Sequence, residues 1–332
     1  MLRGNNLMKS YLRQINLLCL KISFAFLLLL ASYLKADEGL KVICASHTDE
    51  VPVIDGIMDE ACWSKAEIRS DFTSPGSGEG LQRRTEMKVL YDRNNLYFGF
   101  KVYWNDAQLL RDGIATIKSK HSDIKSNVWM KKWKYENIYG LEVFLDPGAG
   151  GLNYYQLLFN AAGQCVGNYK GMLKHFNIKP IVKSTVKGKC WTVELKYFAE
   201  NLQAGQEWGL NVCRNDETYY GIWKQVNGAY GNPKLFGRLI LGDYREWWDA
   251  VGGKNAMKAL DAMEDEQLFK KDPFYQGLFK DTRNELSQFC KWAEQYPPTS
   301  RENFEKLYTR YSKIHAKLDR LRVYYETLRL FN

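Results

Sequence analysis

From about Leu40 to Asp243 the chain sets short apolar and aromatic runs between Gly, Asn and Asp, a punctuation that predicts many short β-strands. The clearest hairpin is Glu86–Asp92, a turn at Arg93-Asn94-Asn95, then Leu96–Tyr103. There Leu96, Phe98, Phe100 and Val102 alternate with Tyr97, Gly99, Lys101 and Tyr103, so one set faces a core, and the composition of the other predicts that both faces are covered. Further strands are predicted over 140–145, 154–160, 179–187, 190–196, 208–215 and 236–241. Short strands at regular spacing with no amphipathic helix between them predict a mainly β fold, an antiparallel β-sandwich of immunoglobulin-like or jelly-roll-like kind.

After Tyr244 the period changes. Phe304, Leu307, Tyr311, Ile314, Leu318, Leu321, Tyr325 and Leu328 recur at steps of three and four, one stripe of a long helix. Thr299 with Glu302 reads as its capping box, and Pro297-Pro298 ends an earlier helix over 273–294, with Phe279, Thr282, Leu286, Phe289 and Ala293 on one side. The expected extension is a C-terminal α-helical hairpin packed on the sandwich. A seam of this kind also suits self-association.

The first 36 residues carry Arg3, Lys9, Arg13, Lys21 and Lys35, no acidic residue, and an apolar run from Ile22 to Ala31. This is the layout of a signal peptide cleaved after Ala36, with an uncleaved anchor as the alternative. The run is shorter than the roughly 20 residues of a membrane span. The chain then divides into a signal over 1–36, a sandwich over 37–243 and a helical region over 244–332, with a secreted or periplasmic destination and no membrane span after processing. Loss of the five basic residues takes the formal charge from +9 to +4, which removes the case for a nucleic-acid partner. The six cysteines from Cys44 to Cys290 show no CxxC or Cys/His cluster, so no zinc site is expected and their redox state stays open. Ser74–Gly80 lacks the Lys and Ser/Thr of a phosphate cradle.

Val53-Ile54-Asp55-Gly56, Asp59-Glu60 and Trp63 are followed in order by Val89–Asp92, Leu141–Pro147, Trp191–Leu195, Trp208–Asp216 and Phe236–Leu239. This collinear set resembles the family 9 carbohydrate-binding modules (CBM9-like, DOMON-like sandwiches) across roughly two hundred residues. Read physically, Trp63 and Trp191 are core residues, and Asp55-Gly56 is turn chemistry.

The resemblance implies a non-catalytic protein that binds a poly- or oligosaccharide, in a family associated with glycoside hydrolases and polysaccharide catabolism. Clustered exposed aromatics suit the C–H face of a sugar ring, and carboxylates and amides suit its hydroxyl edge. Two clusters offer this: 128–137 with Trp129 and Trp133, and 223–233 with Asn227 and Tyr230. By correspondence with the family, Trp133 and Tyr230 form an aromatic clamp, with Trp129 in reserve, while Asn227 and Glu142 bind hydroxyls. The tryptophans serve equally well, on composition, as anchors of a long loop. The family arginine and glutamine fall at Leu158 and Cys213, and Arg214 points to the opposite face of a regular strand. Calcium is a possible cofactor through Asp146 or Asp216. Three other readings remain: a glycosidase using Glu142 and Glu194, a haem-binding electron-transfer sandwich using Met130 with His121 or His175, and an adaptor with no sugar ligand.

Overall fold

The computed structural model describes residues 39–120, 140–170, 180–216, 219–226 and 230–331. The chain divides into two units, Met1–Gly39 and Leu40–Asn332, and every element below belongs to the second.

Eleven strands are described: β1 Val42–His47, β2 Thr85–Tyr91, β3 Asn95–Tyr103, β4 Gly140–Pro147, β5 Tyr154–Asn160, β6 Cys165–Lys170, β7 Ile181–Lys187, β8 Cys190–Phe198, β9 Glu207–Asp216, β10 Tyr219–Ile222 and β11 Gly237–Leu241. They lie in the order β6-β5-β4-β9-β11-β1-β2-β3-β8-β7, with β10 on β9. The first four residues of β1 pair with β11 and its last two pair with β2. One strand therefore joins two sheets, A (β6-β5-β4-β9-β11-β1) and B (β1-β2-β3-β8-β7), into a nearly closed sandwich. Both pairings of β1 are parallel, so the sandwich is mixed where a wholly antiparallel one was expected. Parallel partners remote in sequence leave no local turn signal, which is why this strand escapes periodicity.

Alternate residues of both sheets meet in one core. Val89, Phe98, Phe100, Leu141, Val143 and Val193 are fully buried in it. A helix does intervene between strands: α1 (Ala61–Ser64) is one turn, but α2 (Ala107–Lys120) is a full helix. Asp106 starts α2 by accepting from the amides of Gln108 and Leu109, and Leu110, Ile114 and Ile117 enter the core.

Trp191 lies in the inter-sheet core, as its strand pattern predicts. Trp63 is buried but elsewhere, in a separate cluster with Cys62, Ala66, Leu90 and Tyr97 on the outer face of sheet B. Its indole N–H donates to Glu194 at 2.8 Å, and the other Glu194 oxygen accepts from the amides of Gly56 (2.8 Å) and Asp55 (3.1 Å). Gly56 has φ +91°, and a Cβ there would stand 2.8 Å from the Ser184 backbone, so only glycine fits. Asp55, Gly56 and Trp63 thus share one acceptor on β8. Burial pushes the Glu194 carboxyl above its ordinary range although these donors oppose the shift.

The tail begins at Asp243, whose carboxylate caps α3 (Tyr244–Val251) in a reciprocal box with Glu246. Helices α4 (Gly253–Asp261), α5 (Glu266–Lys271), α6 (Pro273–Ala293) and α7 (Arg301–Phe331) follow. The predicted sides of α6 and α7 are buried against one another. At the start of α7, however, the expected box is absent: Ser300 accepts from the Asn303 amide, and Glu302 pairs with Lys306. Val42 and Ile240, on the outer face of sheet A, complete the tail core beside Trp247. The stripe on α7 is thus used within the chain, the arrangement favoured over a seam between copies.

Glu194→Ala leaves three N–H donors without their acceptor. It is expected to lower stability by about 3 kcal/mol or more, read from urea unfolding. Trp247 sits 4.9 Å from the Phe304 ring and 5.5 Å from the Tyr308 ring. Trp247→Ala is expected to cost about 3 to 5 kcal/mol and to detach the helices from sheet A, observed as protease sensitivity between 243 and 300.

Candidate functional site

Along β4, Leu141, Val143 and Leu145 enter the core, which turns Glu142, Phe144 and Asp146 to the outer face of sheet A. Register places Leu158 of β5 and Cys213 of β9 directly beside Glu142, one on either side. The two positions where the resemblance implies polar donors therefore flank the carboxylate with apolar atoms. The Cys213 thiol is buried and its pKa is pushed well above the ordinary value by that burial, so it is neutral.

Glu142 is instead held by diagonal neighbours. Gln156 Nε2 donates to one oxygen at 2.9 Å and Asn215 Nδ2 to the other at 2.6 Å. Neither amide is singled out by the sequence reading, although the alternation Tyr154, Gln156, Leu158 on β5 puts Gln156 on this face.

An aromatic floor adjoins the carboxylate. Phe144, Tyr154 and Phe236 form a triangle with each pair of ring centroids 5.8 Å apart. Tyr230 packs on this floor with Val226, half-buried. Burial raises the Tyr230 hydroxyl pKa, and the Glu142 charge adds to the shift. Burial likewise raises that of Tyr154, with Glu142 adding. A Cβ at Gly231 would stand 2.2 Å from the Tyr154 hydroxyl oxygen, so the chain beside Tyr230 crosses Tyr154 at glycine distance.

The structure thus brings Glu142 and Tyr230 to one face. Trp129, Trp133 and Asn227 lie outside the described residues, as do His121, Met130 and His175 of the haem reading. Glu194 belongs to the outer face of sheet B and Glu142 to that of sheet A, so the two cannot face each other across one cleft as a glycosidase pair must. Both acidic residues considered for calcium are engaged by protein donors: Asp146 by the Gly151 amide at 2.7 Å, Asp216 by Arg214. Among the described residues no cluster of three His, Cys, Asp or Glu side chains could hold a metal ion.

Arg214 turns inward, as its register requires, and donates to the carbonyls of Arg83, Arg84 and Tyr103 and to the Thr85 hydroxyl. It closes one end of the sandwich and takes no part in the outer face.

A β-sandwich with a carboxylate and an aromatic floor on one outer face is the architecture of a binding domain. The family model described as "Carbohydrate family 9 binding domain-like" matches residues 54–244, more than half of the chain. The chain belongs to that family. Among solved structures, a family 9 carbohydrate-binding module from Caldicellulosiruptor kristjanssonii in complex with glucose is 18% identical. It matches over 60% of this chain and 95% of its own, with a TM-score of 0.44. The same kind of module from that organism in complex with cellotriose is also 18% identical and matches over 61% and 94%, with a TM-score of 0.44. No curated protein matches the chain.

Proposed function

We propose that this chain is an exported, non-catalytic module that binds a poly- or oligosaccharide on the outer face of sheet A and serves polysaccharide recognition. The observation that carries the reading is the half-buried Tyr230 ring beside Glu142, whose oxygens are aimed by Gln156 and Asn215. A carboxylate held by two amides keeps lone pairs oriented for sugar hydroxyls, and an aromatic ring next to it suits the C–H face. Trp133, with Trp129 in reserve, supplies the opposing ring, and Asn227 a further hydroxyl contact. Membership of a carbohydrate-binding family supports the class of ligand. Leu158 and Cys213 withhold charged donors from the sugar edge, so recognition of the ring face outweighs recognition of its rim.

Export rests on the basic N-terminus and the apolar run Ile22–Ala31. Among the described residues no helix is long and apolar enough to cross a membrane.

A glycan array followed by titration calorimetry tests the binding. Tyr230→Ala and Trp133→Ala are each expected to weaken the best glycan by about 1 to 3 kcal/mol with unfolding unchanged. Normal affinity in both variants would displace the site, and an array silent across plant, algal and host glycans would favour an adaptor. For export, N-terminal sequencing of protein recovered from the periplasm or medium is expected to begin at Asp37. An intact Met1 would argue for the retained anchor.

A further inference from the structure

Beyond the outer face of sheet A, the structure holds a second concavity that the family domain does not build alone. The Pro147–Gly150 turn and the 202–206 loop form one side, and Tyr308, Ser312, His315 and Asp319 of α7 form the other. Buried Trp208, Trp247 and Tyr311 line its floor. It encloses about 840 Å³, within the roughly 300–1,000 Å³ of small-molecule sites. The family match ends at residue 244, so the α7 wall comes from outside it.

We infer that this groove is a second ligand site, one that takes a neutral, hydroxyl-rich ligand of the mono- or oligosaccharide class. The lining decides the chemistry. Arg238 is its one guanidinium, and it is neutralised: it pairs with Glu207 at 2.8 Å and donates from Nε to the Tyr308 hydroxyl at 2.6 Å. Glu207 also accepts from Trp247 Nε1 at 3.2 Å. With Glu200 and Asp319 as further acidic groups, the groove offers no net positive charge to an anion. Gln203, Gln206 and the His315–Asp319 pair supply donors and acceptors above an aromatic floor, the combination that matches hydroxyls around a C–H face.

The lip is also strained. Of the three non-glycine residues with positive φ among those described, Ala149 (50°) lines the groove and Asn201 (59°) lies between Glu200 and Leu202, which line it. Backbone held in such conformations concentrates at ligand sites.

Amide hydrogen exchange on the full chain, with neutral gluco-, xylo- and manno-oligosaccharides at millimolar concentration, tests this. Protection is expected in 147–151, 200–206 and 308–319. Ser312→Trp, which fills the groove from an exposed helical position, is expected to abolish that protection and weaken groove binding at least tenfold, while Ser312→Ala binds normally. Tyr230→Ala is expected to leave it intact, which separates this site from the outer face. Ala316→Trp repeats the test should Ser312→Trp melt early. Absence of protection in these segments, whether glycan binds elsewhere or nowhere, or normal groove binding with the groove filled, overturns the inference.

Discussion

The fold turns on β1. Its six residues pair in parallel with β11 through Val42–Ala45 and with β2 through Ser46 and His47, which makes a single strand the hinge between two sheets. Because side chains alternate, the same strand serves two cores: Ile43 and Ala45 enter the inter-sheet core, while Val42 faces the helical tail. A slip of one residue would send Val42 inward and Ile43 outward, so closure of the sandwich and docking of the helices are fixed by one register. The groove under α7 exists only because that register places the tail over β11.

The two outer faces use the same residue type to opposite ends. On sheet B, Glu194 accepts two backbone amides and an indole, all from one segment, and that segment covers the face. On sheet A, Glu142, itself buried, accepts two side-chain amides from flanking strands, which aim the carboxylate. The difference lies in the donors. Backbone donors tie a chain segment down, whereas side-chain donors on neighbouring strands fix the carboxylate from within the sheet.

Local period exposed much of the architecture in the sequence. The β2–β3 hairpin, the buried sides of α6 and α7, and the strand containing Glu142 follow from alternation or helical spacing alone. The helix α2 was equally legible, since Asp106 is a cap and Leu110, Ile114 and Ile117 share a face; the strand-rich surroundings masked it. What local pattern could not contain was pairing. That Leu158 and Cys213 both touch Glu142 in register, that Trp63 covers sheet B instead of filling the core, and that β1 runs parallel to both neighbours are all relations between remote segments. Candidate-site legibility divided the same way: Glu142 and Tyr230 were named from family correspondence, while Gln156 and Asn215, which orient the carboxylate, required the register.

That register also constrains what the outer face can discriminate. With Leu158 and Cys213 in register on either side of Glu142, the side-chain amides of Gln156 and Asn215 reach the carboxylate from diagonal positions two residues away, and both are neutral. Neutral amides distinguish hydroxyl geometry weakly compared with a guanidinium, which presents a rigid fork. The burden of selectivity then shifts to shape, set by the Phe144, Tyr154 and Phe236 triangle and the ring of Tyr230 above it. On the proposed function, such a face would read the flat underside shared by many pyranoses. The second site proposed beside the tail, if occupied, would be where finer discrimination between related glycans resides.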